Sequence, residues 1–152
     1  ASSAAGGFFF VDSNVLLRML QRDHPMHKDA WGAVRALHQK KELVLAPQNI
    51  VELWVVATRP KEANGLGLTP SRAAMYLARV SRTFPMLLET PDMHQEWQRL
   101  VVEHQVSGKK AHDTRLVAAM RVHGVEGIVT FNGDDFRRYP GINVFHPRDL
   151  AP

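Results

Sequence analysis

The sequence predicts an α/β fold in which helices flank a central, mainly parallel sheet of about five strands, as a three-layer sandwich. Short apolar runs alternate with longer stretches of helical periodicity, which is the pattern of strands connected by crossover helices. Three of the helical stretches begin with a proline, which fits the first helical position because its missing N–H would be unpaired there. The 152 residues, 45% of them hydrophobic, are enough for one domain with one core.

The predicted strands are short apolar runs, at residues 8–11, 43–46, 86–89, 127–131 and 142–145. The predicted helices follow or separate them, at residues 13–21, 27–40, 47–58, 70–83, 91–105 and 112–123. The stretch 59–68 is rich in glycine and asparagine and is expected to be a loop. We interpret the small and polar residues 1–7 as a tail outside the fold, which leaves one domain at residues 8–150.

Composition excludes several classes of protein. There is no cysteine, which excludes a disulfide framework, a thiol nucleophile and a cysteine-based zinc site. No apolar run is long enough to span a bilayer and the first residues lack a signal-peptide pattern, so we expect a cytoplasmic protein. The net charge of +4 favours polyanionic partners without identifying one.

Acidic residues follow two of the predicted strands directly. Asp12 comes after the run FFFV, and Asp134 and Asp135 come shortly after GIVTF. Open α/β sheets bind their ligands at the carboxyl ends of the strands, so these positions are candidate active-site positions. Each also has an ordinary alternative, since aspartate is common at helix starts and in turns.

Two further acids lie on predicted helices with apolar surroundings. Glu52 lies in NIVELWVVA without a basic residue one turn before it, and an ionised carboxylate there needs an ion pair or a bound cation. Asp113 shares a helix face with Leu116, Val117 and Met120. A buried ion pair with a distant basic residue remains open for Glu52, and a favourable helix-dipole interaction remains open for Asp113.

Taken together, the acids predict one shared pocket. Carboxylates that lie close together repel one another and either take up protons or bind a hard cation such as Mg²⁺ or Mn²⁺. One or two such ions, about 4 Å apart when there are two, can activate water and stabilise the leaving oxygen in phosphodiester hydrolysis. The sequence therefore favours metal-dependent hydrolysis.

Four separated segments resemble, in order, the motifs of the PIN-domain nucleases. They are VDSNVLLR (11–18), NIVELWVVATRP (49–60), HDTRLVAAM (112–120) and VTFNGDDFRRYPGINVFHP (129–147). The letters ATRP followed by NGLGLT (64–69) further resemble a stretch common in bacterial VapC-type toxins. The resemblance covers the chain nearly end to end and implies a PIN-like fold and a metal-dependent endoribonuclease that acts as the toxin of a toxin–antitoxin pair.

The resemblance also implies roles for the acids. Asp12 corresponds to the central metal ligand, and Glu52 and Asp113 correspond to further acids of the pocket that holds Mg²⁺ or Mn²⁺. The family pattern Thr-x-Asn-x-x-Asp-Phe aligns Asp135 with the fourth acid and leaves Asp134 at a variable position. Because Asp134 and Asp135 are adjacent, it remains open which of the two is the fourth acid.

Residues beside the acids are the second group that the resemblance identifies. Asn14, Thr130 and Asn132 match polar positions that hold the acids in place. Basic residues near the motifs are candidate RNA contacts, namely Lys109, Lys110, Arg115, Arg137 and Arg138. For each of these basic residues a solvated surface position is the simpler interpretation.

The resemblance further implies a small antitoxin that blocks the pocket and a homodimer. A catalytically silent PIN-fold module that binds RNA or protein is the main alternative function, which a missing acid would have favoured. A phosphoacceptor receiver domain also gathers acids at strand ends. The order of the acids in this sequence disagrees with that class, which needs an acidic pair after the first strand and a lysine after the last.

Overall fold

A computed structural model of the protein describes residues 7–150. These residues form one sheet of four parallel strands in the order β2-β1-β3-β4. The strands are β1 (Phe8–Val11), β2 (Glu42–Val44), β3 (Val125–Val129) and β4 (Asn143–Phe145). Because all four strands are parallel, their carboxyl ends lie along one edge of the sheet, as the alternating pattern predicted.

Helices connect the strands. They are α1 (Ser13–Leu20), α2 (His27–His38), α3 (Pro47–Thr58), α4 (Pro70–Thr83), α5 (Pro91–Glu103), α6 (Lys110–His123) and the short α7 (Pro147–Leu150). The predicted prolines at Pro47, Pro70 and Pro91 are each the first residue of a helix. None of the helices in residues 7–150 has the length and apolar character that crossing a membrane requires.

The predicted strand at residues 86–89 is a single parallel bridge between Met86 and Leu45. Leu45 donates its N–H to the Pro85 carbonyl at 2.9 Å and accepts from the Leu87 N–H at 2.8 Å. Pro85 has no N–H to extend the pairing, and the Leu88 side chain is 74% exposed at this outer edge. The described sheet therefore has four strands where about five were predicted.

Two hydrophobic cores lie on opposite faces of the sheet because side chains alternate along each strand. Phe9 and Val11 pack on one face with side chains of α1 to α4, while Phe10 packs on the other with α5 and α6. The predicted three-layer arrangement is confirmed. The predicted tail falls on residues 1–6, outside the described residues, and on Gly7, whose carbonyl accepts a hydrogen bond from the Glu42 N–H.

Candidate active site

Asp12 lies at the junction of β1 and α1, next to the carboxyl end of β3. The helix begins at Ser13, so Asp12 is its N-cap residue, and its Oδ1 accepts a hydrogen bond of 2.8 Å from the Ser13 N–H. Only 7% of Asp12 is exposed. Burial raises the pKa of Asp12 above its ordinary range, and the negative charge of Asp135 acts in the same direction.

Thr130 fixes the second oxygen of this carboxylate. The fully buried Thr130 hydroxyl donates to Asp12 Oδ2 at 2.7 Å and accepts from Asn14 Nδ2 at 3.1 Å and from the Asn132 N–H at 3.0 Å. Asn14 Oδ1 in turn accepts from the Phe131 N–H. Asn14 and Thr130 thus hold Asp12 with their side chains, whereas Asn132 contributes its backbone and has an exposed side chain.

Glu52 reaches the same region from the middle of α3. Its Oε1 accepts a hydrogen bond from Ser13 Oγ at 3.4 Å. Partial burial, together with the negative charges of Asp12 and Asp113, raises the pKa of Glu52 to about 7. Among residues 7–150, no basic side chain forms an ion pair with Glu52, which removes the buried ion pair as its explanation within this range.

Asp113 lies in the first turn of α6, where the helix dipole favours a carboxylate. Its surroundings oppose the charge nevertheless. Partial burial raises the pKa of Asp113 to about 6, and Asp135 and Asp12 contribute in the same direction. The helix dipole thus favours the Asp113 carboxylate, but it does not by itself explain why an acid lies here, because the negative charges of Asp135 and Asp12 oppose its ionisation.

The two adjacent aspartates after β3 differ in their surroundings. Both lie in a short 3-10 turn, Gly133–Asp135. The Asp134 side chain is 95% exposed and forms an ion pair with Arg137. Asp135 is partly buried, and its charge acts on both Asp12 and Asp113. The geometry therefore favours Asp135 as the fourth acid of the cluster.

Residues 9–142 match the PIN domain family. The chain belongs to this family.

Similar proteins are found by sequence and by structure. The PIN domain is 26% identical to Ribonuclease VapC24 of Mycobacterium tuberculosis over 144 residues, which are 90% of this chain and 94% of that protein. Its fold is similar to a chain in the structure of Rickettsia felis VapBC2 bound to a promoter DNA fragment, with a TM-score of 0.70, 11% identity, and coverage of 91% of this chain and 98% of that one. It is also similar to M. tuberculosis VapC20, a sarcin–ricin loop cleaving toxin, with a TM-score of 0.62, 20% identity and coverage of 86% and 94%. These two structural likenesses show the fold.

An open cleft of about 710 Å³ lies beside Glu52. One wall is apolar, since Val51 and Val55 of α3 are 62% and 49% exposed. The other side carries the polar groups of His112 and Arg115 from α6. Asp135 lines a separate pocket of about 440 Å³. Of the four acids, Glu52 is the one that lines the larger cleft, whose volume suits a ligand of nucleotide size.

The donor set of the PIN domain fits a hard cation. All four acids supply carboxylate oxygens, the ligands that Mg²⁺ and Mn²⁺ prefer, and their mutual repulsion is relieved when a cation binds. As the side chains stand, residues 7–150 contain no group of three or more histidine, aspartate or glutamate side chains that could hold one ion. An ion shared by several of the acids would therefore need at least one of Glu52, Asp113 and Asp135 to rotate toward the fixed carboxylate of Asp12, with water completing its coordination.

The predicted RNA-contacting residues lie on the surface. All five are exposed, namely Lys109, Lys110, Arg115, Arg137 and Arg138. Arg115 lines the cleft and is paired with Glu89, and Arg137 is paired with Asp134. The positive charge of Lys110 acts on Asp113 and lowers its pKa, against the larger effects that raise it. Lys110 thus acts on Asp113, Arg115 lines the cleft together with Glu52, and Arg137 lines the smaller pocket together with Asp135.

Three residues of the site were not selected from the sequence. Ser13 donates to both Asp12 and Glu52, and its position beside Asp12 was a usable signal. Gln48 lies one turn before Glu52, lowers the pKa of Glu52 through a hydrogen bond and donates to the His112 carbonyl at 2.7 Å. Glu89 lines the cleft, 37 residues along the chain from Glu52, so nothing in the local pattern indicated its place.

The raised pKa values predict how pH and metal affect stability. In metal-free protein, Glu52 and Asp113 stabilise the fold fully below about pH 4, and this contribution is lost as the pH rises through their folded pKa values of about 7 and about 6. Mg²⁺ bound to the ionised carboxylates would offset the loss. We expect Mg²⁺ to raise the melting temperature more at pH 8 than at pH 5.

Differential scanning fluorimetry with Mg²⁺ or EDTA measures this effect. A Glu52→Gln variant should show a smaller pH dependence of the metal-free melting temperature than the wild type, because glutamine does not titrate. Equal Mg²⁺ shifts at both pH values, or a larger shift at pH 5, would contradict the assignment.

Proposed function

We propose that the protein is a Mg²⁺- or Mn²⁺-dependent endoribonuclease that acts as the toxin of a toxin–antitoxin pair. The observation that carries the proposal is the buried Asp12 carboxylate, held by Thr130 and Ser13 and within electrostatic range of the other acids. The similarity to Ribonuclease VapC24, to VapC20 and to a VapBC complex supports this class of reaction and partner.

Each acid has a separate task in the proposed mechanism. Asp12, whose two oxygens are both oriented by hydrogen bonds, is the fixed ligand around which the other acids assemble. Asp113 and Asp135 add further ligands from α6 and from the turn after β3. When bound, the cation supplies charge for the scissile phosphate and lowers the pKa of its water.

Glu52 is the acid best placed to accept a proton. It lies partly open to the cleft, and its pKa of about 7 is close to the pH at which a general base works most efficiently. Ser13 and Gln48 orient its carboxylate by hydrogen bonds beside the cleft from which an attacking water would approach. Arg115, which lines the cleft, and Lys110, whose charge acts on Asp113, are the basic residues that we expect to contact the RNA backbone.

The partners and the location are part of the same proposal. We infer that a small antitoxin protein restrains the nuclease by blocking the cleft, that the protein forms a homodimer, and that it acts on RNA in the cytoplasm. The similarity to chains of VapBC toxin–antitoxin structures supports the antitoxin.

Cleavage of RNA by the purified protein tests the function. We expect cleavage of total cellular RNA with Mg²⁺ or Mn²⁺, none with EDTA, and fragment ends that map to defined sites. A protein that binds RNA without cutting it under any of these metal conditions would instead be the silent PIN-fold module.

A further inference from the structure

Glu89 and Arg115 form an ion pair inside the candidate active-site cleft. Arg115 Nη2 lies 2.8 Å from Glu89 Oε1, and both side chains line the cleft together with Glu52. Among residues 7–150, Arg115 is the one arginine or lysine that lines this cleft. Its guanidinium is thus paired with a carboxylate of the same chain.

The backbone around Glu89 is held in place from two sides. The Leu87 N–H donates to the Leu45 carbonyl at 2.8 Å, which ties the segment to the end of β2. His123 Nε2 lies 2.7 Å from the Leu88 carbonyl, which ties the segment to the last turn of α6. The segment that carries Glu89 is thus held by hydrogen bonds at the two residues before it.

The pair has an electrostatic effect on the cleft beyond its effect on stability. Both side chains are about half exposed, at 48% and 46%, and exposed ion pairs of this kind add little to folding stability. Glu52 already places one carboxylate in the lining of the cleft. Glu89 adds one more negative charge and neutralises the arginine that would attract a phosphate.

We propose that Glu89 is a specificity-determining residue that weakens the sequence-independent attraction of the cleft for RNA. An RNA phosphate has to displace Glu89 from Arg115 in order to bind. Phosphate contacts carry no sequence information, so weakening them raises the share of the affinity that base contacts provide. The inference rests on the proposed ribonuclease function and adds a selectivity element to the same cleft.

Glu89→Gln tests the inference by RNA binding without cleavage. Binding of a short fluorescein-labelled single-stranded RNA is measured by fluorescence anisotropy in EDTA over a series of salt concentrations. We expect the variant to gain one phosphate contact, which steepens the slope of log Kd against log salt by about 0.7 and tightens binding about fivefold at 0.1 M salt.

Two further variants separate this effect from net charge. Glu103→Gln removes the same charge from a half-exposed glutamate paired with Arg99 on α5, outside the cleft, and should leave the slope unchanged. In Glu89→Gln combined with Arg115→Gln, the gain in affinity and slope should disappear. An unchanged or weaker affinity in Glu89→Gln, an equal gain in Glu103→Gln, or a gain that persists without Arg115 would each overturn the proposal.

A different observation would refute the proposed function. Absence of cleavage with Mg²⁺ and Mn²⁺ would refute the nuclease, whereas the binding comparison is made in EDTA and does not depend on cleavage. A nuclease that cuts RNA but whose affinity does not respond to Glu89→Gln would keep the function and refute the role of Glu89.

Discussion

We expect Asp12→Asn to reduce metal-dependent RNA cleavage by about 10³-fold or more, because a metal ion contributes several kcal/mol of transition-state stabilisation. Asp12 is the only one of the four proposed acids whose two oxygens are both held by described hydrogen bonds, from Ser13 and Thr130. Asparagine replaces one carboxylate oxygen with an amide N–H, which cannot bind a cation. The central ligand is lost while the shape of the side chain is kept.

The same change should leave the fold as stable as the wild type, or more stable. Burial raises the pKa of Asp12, so the ionised group opposes folding at neutral pH. Asparagine can keep the Ser13 bond through its oxygen but loses the Thr130 bond, because the Thr130 hydroxyl already accepts from Asn14 and Asn132. Removal of the buried charge offsets this loss. In the wild type, protonated Asp12 stabilises the fold at low pH, and this contribution is lost as the pH rises through the raised pKa of Asp12. The variant has no such loss, so the difference in melting temperature in its favour should grow with pH.

Cleavage rates with Mg²⁺ and melting temperatures in EDTA at pH 5 and pH 8 check both parts. Asp23→Asn is a matched control, because Asp23 is an exposed aspartate between α1 and α2. If Asp12→Asn cuts RNA at the wild-type rate, the metal-centred mechanism is wrong. If it unfolds in EDTA at pH 8, the proposed repulsion among the acids is wrong.

The second large effect separates Asp135 from Asp134. We expect Asp135→Asn to raise the Mg²⁺ or Mn²⁺ concentration needed for half-maximal cleavage by about 10- to 100-fold, with part of the rate recovered at high metal. Asp135 acts electrostatically on Asp12 and Asp113, and we propose that it binds the metal or positions an acid that does. Asp134→Asn should change the metal requirement little, because its side chain is exposed and paired with Arg137.

A metal titration of the cleavage rate for both variants makes the comparison. The two substitutions remove the same charge from adjacent residues, so each controls for the other. If Asp134→Asn shifts the metal requirement and Asp135→Asn does not, the alignment of the turn after β3 is off by one residue and Asp134 is the fourth acid.

Much of the fold could be predicted because its signals are local. The prolines that begin α3, α4 and α5 and the apolar runs of β1 and β3 are read directly from neighbouring residues. The segment at residues 86–89 has the same apolar character but pairs only at Met86, because Pro85 interrupts the backbone donors and the segment lies at the sheet edge. Apolar content alone does not distinguish a strand from an edge bridge.

The site was partly predictable for the same reason. Asp12 and Thr130 directly follow the neighbouring parallel strands β1 and β3, so the strand order brings them together. The Thr130 hydroxyl oxygen lies 2.7 Å from Asp12 Oδ2, to which it donates a hydrogen bond. Glu89 and Arg115 meet only through the packing of α6 against the segment before α5, which no local pattern records. Side-chain rotation also lies beyond sequence reasoning, as the exposed side chain of Asn132 shows.

Crystals of the wild-type protein soaked with Mn²⁺ would show whether the acids bind a metal ion. The anomalous scattering of manganese locates the ion independently of the protein density. We expect a peak within coordination distance of the Asp12 carboxylate, with at least one of Glu52, Asp113 and Asp135 rotated toward it. An anomalous map with no peak at Asp12, or with manganese bound only elsewhere on the protein, would contradict this expectation.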